Sequence, residues 1–532
     1  MKDYTETIGF LGQWGRFQQI VFFSLIATIM PNGFGAFTLV FLTDTPSHHC
    51  LVSGINLTED WRKSVIPIRE VDGKQELSRC SRYRLDVVRN LSAQGYIPGM
   101  DVNLTDLEEE GCVDGWSYSK DIYESTIVSE FDLVCSNQWK QPFTSTVFFV
   151  GVLLGSFFSG QLSDRYGRKP ILFAALALQT VFTFAQVFSG SWIMFLIILF
   201  INGLGQMSNF VAALVLGSEV LTGKVRVLYS SLGTCLGFAI GYMILPLLAY
   251  FLRDWKSLSL ALSLPCVAYI PFWWLMPESP RWLLSQGRVE EAEAIIRTAA
   301  KWNKVQAPRI IFEDCVFQTE KMQTHSKEHY NVFDLLRQSS IRATTLILCF
   351  VFTMIVGYYS LSFNTAQLHE NPYISCFISA VVEIPAYISS WLALLYLPRR
   401  FTYLIRVLSL TVYLYPQTKQ MYYSLDLSNL SLALEMLGKY SITTGSSLMF
   451  AYTAELYPTV LRNTATGISN TVSRIGSCIA PLLLSLGMYY KYLPHIILGT
   501  LAVVAAFAAL FLPESFKKPL PETIEQMHRR ER

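Results

Sequence analysis

Four charged residues fall where charge is costly. Arg474, Glu383, Lys439 and Glu435 each lie inside a long apolar stretch. A charge at that depth marks a pathway or a pair. Arg474 sits in SNTVSRIGSCIAP, among small residues that leave space around a guanidinium. A planar guanidinium forks onto a carboxylate, so Arg474 is the candidate holder of a bound carboxylate. The bland alternative is a structural pair with Glu383 or another acid. Phe238, Tyr358, Tyr359, Phe450 and Tyr452 are candidates to receive an ammonium on their ring faces. Aromatic residues make up 14% of the chain, so any one of them is more often simple packing.

A second set carries oxygen. Asn32 follows Pro31, where a broken helix exposes carbonyls; Gln206 and Asn209 stand three apart; Gln179 lies one stretch earlier. Amide oxygens grouped this way suit a small hard cation such as sodium. Interhelical hydrogen bonding is the competing use of buried amides. A third set lies at the ends of the apolar stretches: Asp164, Arg165, Arg168, Glu219, Arg226, Glu455 and Arg462. Such breakable polar contacts suit a gate or lock between moving parts.

The elements that carry these residues are apolar helices. The chain has 532 residues, 52% hydrophobic and 15% charged, with a formal net charge of +2. Soluble domains average about 25% charged residues, so too few charges exist to coat several soluble domains. The near-neutral balance points to no nucleic-acid partner. Twelve apolar stretches fall near 20–42, 142–162, 171–190, 192–218, 228–251, 258–276, 343–363, 373–397, 402–417, 430–453, 464–487 and 493–512. The ninth is weakest, carrying Arg406 and ending at Pro416. An all-α polytopic membrane protein follows.

Loop charges orient it. Arg165, Arg168, Lys169, Lys224, Arg226, Arg399, Arg400 and Arg462 lie on one side; Arg253, Lys256, Lys419 and Lys491 lie on the other. The richer side is expected to be cytoplasmic, with both termini there and no removable signal peptide. The long segment 43–141 is then extracellular. It holds Cys50, Cys80, Cys112 and Cys135, and sequons at Asn56, Asn90 and Asn103. Two disulfides are expected, with all three pairings open, together with N-glycosylation. The expected organisation is a 1–19 cytoplasmic N-terminus, a six-helix half at 20–276, a cytoplasmic linker at 277–340, a second half at 341–513 and a 514–532 tail. The linker segment RWLLSQGRVEEAEAIIRTAAKW has helical amphipathic spacing and predicts one or two helices beneath the membrane region.

An internal repeat divides the spans. Glu219 and Arg226 recur as Glu455 and Arg462, and Pro277-Glu278-Ser279 recurs as Pro513-Glu514-Ser515, each 236 residues on. The same offset sets the SDRYGRK loop against RRFTYLI, and Phe238 against Arg474. Parallel halves of this kind are a transporter architecture, with the site between them near the midplane.

The loop Gly160-Gln-Leu-Ser-Asp164-Arg165-Tyr-Gly167-Arg168-Lys169 resembles the signature of the major facilitator superfamily. FLGQWGRFQ, IMPNGF, GQMSN, EIPAY, YLPRR, PESPRWLLSQGR, YTAELYPTV, SRIGS and LPESF are similar to the organic ion solute carriers, in particular the organic cation/carnitine subfamily. The resemblance implies a plasma-membrane carrier of zwitterions and organic cations bearing a quaternary or tertiary amine, commonly sodium-coupled, working by alternating access. It implies no cofactor beyond sodium as a co-transported ion. In the wider family, cation-selective members carry an acid at the position of Arg474, so the base implies a carboxylate-bearing substrate. Carnitine is the expectation; a sodium-independent polyspecific cation carrier, or a carrier of an ergothioneine-like zwitterion, is the alternative. Departures from the subfamily are Phe210 in place of a tyrosine, Ser446 in place of an aromatic, and a ninth span without its usual glycines. A monomer in the lipid bilayer is expected.

Other classes fit less well. Gly217-Ser-Glu-Val-Leu-Thr-Gly223-Lys224 has five residues between its glycines, and Val225 replaces the hydroxyl residue that would hold magnesium, so no ATP use is expected. The seven histidines are scattered, and His325 and His329 lack a third ligand nearby; no enzyme and no metal centre are expected. Span count and duplication exclude a seven-helix receptor, and twofold halves favour a carrier over a channel.

Overall fold

The structure is a computed structural model describing residues 4–53, 56–71, 73–312, 333–337, 339–364, 371–422, 428–457 and 459–518. Cys315, His325, His329, His369 and His528 lie outside the described residues, as do the side chains of Arg462 and Lys419. Twelve long helical segments carry the apolar stretches: α1 Arg16–Leu42, α2 Lys140–Tyr166, α3 Arg168–Ala185, α4 Trp192–Val220, α5 Gly223–Leu228 continuing as Thr234–Phe251, and α6 Trp255–Val267. The second six are α7 Ser339–Phe352 continuing as Ile355–Phe363, α8 Pro372–Tyr396, α9 Arg399–Tyr422, α10 Ser428–Leu456, α11 Thr459–Ser485 and α12 Leu493–Ala509.

Among the described residues, nine helices are both long and apolar enough to cross a membrane. The other three differ for visible reasons. The α9 helix carries Arg399, Arg400 and Arg406, α10 carries Glu435, Lys439 and Glu455, and α12 has 17 residues. The weak ninth stretch is nonetheless helical, and it continues past Pro416 to Tyr422.

Two compact units are present. The helical unit comprises 1–38, 142–251 and 258–532. Its first half is drawn tight by glycine. A Cβ on Gly33 of α1 would lie 2.1 Å from the Phe238 carbonyl oxygen of α5, and one on Gly241 would lie 2.1 Å from that of Met30. Glycine therefore lets the α1 and α5 backbones touch, as small residues do in membranes. At the end of the helices that bears the linker, Pro280–Ser285 and Val289–Asn303 form the two expected amphipathic helices. Ala292, Ile296, Ala299 and Ala300 share an apolar core with Tyr4, Ile8, Leu11 and Phe17 from the N-terminal segment. Asn303 stitches the two together: its Oδ1 accepts from the Phe17 amide at 2.9 Å, and its Nδ2 donates to Gln18 Oε1 at 2.9 Å.

The second unit comprises 39–141 and 252–257. Three two-stranded antiparallel ribbons form it: β1 (His48–Cys50) with β6 (Trp116–Tyr118), β2 (Ile68–Val71) with β3 (Lys74–Leu77), and β4 (Ser81–Tyr83) with β5 (Glu109–Gly111). Its small core is Leu57, Trp61, Val65, Tyr83, Leu85 and Val88. So little apolar material needs staples. Of the three pairings open at the outset, the disulfides are Cys50–Cys112 and Cys80–Cys135. Buried Arg82 adds ion pairs to Glu110 and Asp114, each at 2.9 Å. The sequon residues Asn56, Asn90 and Asn103 are all exposed.

Candidate functional site

The charges at the linker ends of the helices form two matching clusters. In the first, Arg168 at the start of α3 meets Glu219 of α4, Nε to Oε2 at 3.3 Å and Nη2 to Oε1 at 3.1 Å. Ser279 Oγ donates to the same Glu219 carboxylate. Glu278 accepts from the backbone amides of Arg168 at 3.1 Å, Lys169 at 3.3 Å and Ser279 at 2.8 Å. These are the free N–H groups of a helix start, which favour an anion. Burial nevertheless pushes the Glu278 carboxyl above its ordinary range. Asp164 adds a 2.7 Å pair to Arg168.

The second half repeats this. Arg399 meets Glu455 at 3.2 and 3.1 Å, Ser515 Oγ donates to Glu455 at 2.7 Å, and Glu514 accepts from the Arg399 and Arg400 amides at 2.9 and 3.1 Å. Arg168 and Arg399 are 231 residues apart, so the 236-residue register misaligned this loop by five positions. A lock between moving parts needs contacts from one half to the other, and these clusters do not supply them. Each cluster lies within its own half, and among the described residues no ion pair of Asp164, Arg168, Glu219 or Glu455 crosses between halves. Arg165 covers the Tyr166 ring at 5.4 Å, and Arg226 lies in the last turn of the first segment of α5. The Arg462 side chain lies outside the described residues.

At mid-depth the charges separate into two centres. Lys439, with no exposed surface, pairs with equally buried Glu383 at 3.3 Å and donates to Ser379 Oγ at 2.5 Å and to the Tyr242 hydroxyl at 3.3 Å. Tyr358 donates to Glu383 at 2.5 Å, and Asn364 donates to Glu435 at 3.0 Å. Arg474 stands apart. Its Nη1 donates to the Tyr359 hydroxyl at 3.3 Å, and its buried Nε has no partner. Among the described residues Arg474 forms no ion pair with Glu383, whose Oε1 is held by Lys439 and Tyr358.

Rings link the two centres. Phe37 of α1 stacks on Tyr242 at 4.1 Å and approaches Tyr358, Tyr359 and Phe363 at 6.3, 6.1 and 5.9 Å. Phe149 of α2 meets Tyr359 edge-on at 4.9 Å. Of the expected ring set, Tyr358 and Tyr359 are in this cluster, and Phe238 touches it through Phe37 at 5.9 Å. Two members are not brought there. Phe450 is 40% exposed and packs edge-on against Phe352, while Tyr452 donates to the Pro513 carbonyl near the linker end. Both lie on α10 beyond Lys439, more than two turns toward that end, which is why one helix cannot bring them to the same depth. Phe37, Phe149, Phe363 and Tyr242 were not anticipated. The available signal was Phe37 lying one turn from Gly33, on the face that Gly33 presses against α5.

The amides gather around Pro31 of α1, which runs as one continuous helix from Arg16 to Leu42 and is not broken there as expected, its neighbours taking up the carbonyls. Gln179 Nε2 donates to the Pro31 carbonyl at 3.3 Å, Gln206 Nε2 to that of Asn32 at 3.0 Å, and Asn209 Nδ2 to that of Thr28 at 2.9 Å. Interhelical bonding thus uses their N–H groups. The oxygens Gln179 Oε1, Gln206 Oε1 and Asn209 Oδ1 remain buried without a donor. Gly35 makes room for them, since a Cβ there would lie 2.8 Å from Gln206 Oε1.

Comparison with known proteins gives the family and the fold. Residues 99–527 match the family model described as "Sugar (and other) transporter". The "Organic cation/carnitine transporter 2" of Rattus norvegicus is 48% identical over 99% of this chain and 94% of its own, and that of Homo sapiens is likewise 48% identical over the same shares. The chain belongs to the organic cation/carnitine transporters of the major facilitator superfamily. Another such relative, "Solute carrier family 22 member 4" of Mus musculus, is 48% identical over 99% of this chain and 95% of its own. The fold is similar to that of the "Partially occluded inward open conformation of the xylose transporter XylE from E. coli", with a TM-score of 0.61, 16% identity, and coverage of 94% of this chain and 99% of that one.

Proposed function

We propose that this transporter takes up carnitine-like zwitterions across the plasma membrane by alternating access, with both termini cytoplasmic. One observation carries the reading. Arg474 is a mid-membrane guanidinium with no carboxylate partner among the described residues and an unpartnered Nε, beside a cluster of tyrosine and phenylalanine rings. A guanidinium held in low dielectric without an anion is poised to accept one. The ring faces supply attraction for a quaternary ammonium at the other end of the same small molecule. The names of the 48%-identical relatives support the same class of cargo.

The moving parts follow from the contacts between halves. Phe149 and Tyr359, Thr146 Oγ1 and the Cys478 carbonyl at 3.3 Å, and Ser156 and Asn470 at 3.4 Å join α2 to α7 and α11. Rocking must part these. The Arg168–Glu219 and Arg399–Glu455 clusters act as braces that keep each half rigid while it rocks. Their gating role is therefore to hold the lever, with the seam between halves closed and opened by the softer contacts.

Sodium is proposed as a co-transported cation beside Pro31 of α1. Three buried amide oxygens there have unused acceptor capacity, and a small hard cation prefers oxygen donors. Phe210 beside them offers no hydroxyl, so the site rests on amides and carbonyls alone. The test is radiolabelled uptake of carnitine, ergothioneine and tetraethylammonium, each with and without sodium. Saturable, sodium-stimulated carnitine uptake is expected. Tetraethylammonium uptake that ignores sodium, without carnitine uptake, would overturn both parts.

A further inference from the structure

The Lys439 ammonium occupies a box that a substrate ammonium would seek. Its Nζ lies 4.5 Å from the ring centroid of Tyr242, 5.5 Å from that of Tyr358 and 5.7 Å from that of Phe37. Glu383 stands 3.3 Å away as the counter-charge. Three ring faces and one carboxylate are the components of an ammonium cage, and here the chain's own side chain fills it. The box is also shared between halves: Phe37 and Tyr242 come from α1 and α5, whereas Tyr358, Glu383 and Lys439 come from α7, α8 and α10. It adjoins the Arg474 centre, because the Tyr358 and Tyr359 rings are 5.1 Å apart.

We propose that Lys439 is a tethered occupant of the ammonium subsite and sets the preference for zwitterions over carboxylate-free organic cations. The proposal rests on the reading of Arg474 as the carboxylate holder. A lysine ammonium on a four-carbon stem can be displaced from the rings by the substrate while keeping Glu383 in reach. The displaced ammonium stays within the centre, so a plain cation adds an unbalanced positive charge beside it, whereas a zwitterion brings its own carboxylate for Arg474 and leaves the charge balanced. Counting Arg474, Lys439, Glu383 and Glu435, the centre is formally neutral, and a net-neutral cargo leaves it so.

The experiment compares KM for radiolabelled carnitine and tetraethylammonium in proteoliposomes of the full chain, with the amount of incorporated protein measured for each variant. Lys439→Gln empties the box and leaves Glu383 to receive a cation. The KM for tetraethylammonium relative to that for carnitine should fall at least about tenfold, the scale of one desolvated cation–π contact. Ser379→Ala keeps the lysine but removes its hydroxyl partner, and should move the same ratio the same way by a smaller factor; it decides the matter if Lys439→Gln does not fold. A residue that merely braces the helices would change both KM values together, and an unchanged ratio in the folded variants overturns the proposal. Normal carnitine uptake by Arg474→Ala would instead overturn the substrate reading beneath it, so the two failures are distinguishable.

Discussion

Gly33→Ala is a small change with a large expected effect. The added Cβ would lie 2.1 Å from the Phe238 carbonyl oxygen and 2.7 Å from the Tyr242 amide nitrogen. A close carbon–oxygen contact is about 3.3 Å, so α1 and α5 must separate by roughly 1 Å. Both obstacles are backbone, so no side chain can swing aside. Overpacking of this kind costs about 1–3 kcal/mol, against a helix-propensity gain of at most about 1 kcal/mol for replacing glycine. The separation also pulls Phe37 from Tyr242, now stacked at 4.1 Å. The assay is thermal unfolding of the purified full chain, with carnitine uptake measured per surface molecule. Gly33→Ala should lower the midpoint by several degrees and reduce uptake. Gly499→Ala on α12, where a Cβ meets nothing within 4 Å, is the control and should be neutral or stabilising. If both variants behave alike, the close approach of α1 and α5 is not a determinant of the site.

Three further outcomes are expected. Glu219→Gln and Glu455→Gln should each cost about 2 kcal/mol, between the values for exposed and buried pairs; the Glu219 effect should be the larger, its side chain being 18% exposed against 26%, and thermal unfolding of each variant checks the order. Asp44, hydrogen-bonded to the Tyr123 hydroxyl at 2.6 Å, is pushed up to about 6 by burial. A carboxyl raised in the folded state is destabilised when ionised, so stability should rise as pH falls from 7 to 5, and Asp44→Asn should flatten that part of the thermal-stability profile. Asn209→Ala removes one amide from the cluster beside Pro31 and should raise the sodium concentration for half-maximal uptake by about tenfold; an unchanged sodium dependence places the cation elsewhere.

Much of this was legible in the residues, and the exceptions have physical causes. Apolar length predicted the helices, because a membrane span must satisfy its own backbone. The Glu219/Glu455 and Glu278/Glu514 repeats were visible since helix ends keep their spacing, whereas Arg168 and Arg399 were mispaired because the stretch from arginine to glutamate is 51 residues in the first half and 56 in the second. Arg474 was identifiable from its small neighbours. Its competitor, the buried Lys439–Glu383 pair, was not, since partner choice between α8, α10 and α11 depends on side-chain direction across helices that no sequence offset encodes. The ring cluster was half legible: Tyr358 and Tyr359 adjoin the charges, but Phe37 and Phe149 are single aromatics on helices already rich in them. The disulfide pairing required the ribbons of the second unit, which bring Cys50 to Cys112 through the β1–β6 pair nearby.

The central claim is that Arg474 holds the carboxylate of a zwitterionic substrate, and one measurement addresses it directly. Radiolabelled carnitine uptake is compared between the native chain and Arg474→Ala, each normalised to surface protein by biotinylation. Loss of a charged hydrogen-bond pair is worth about 1.5–3 kcal/mol, so uptake efficiency should fall roughly 10- to 100-fold at unchanged surface abundance. Native uptake per surface molecule in Arg474→Ala would contradict the account.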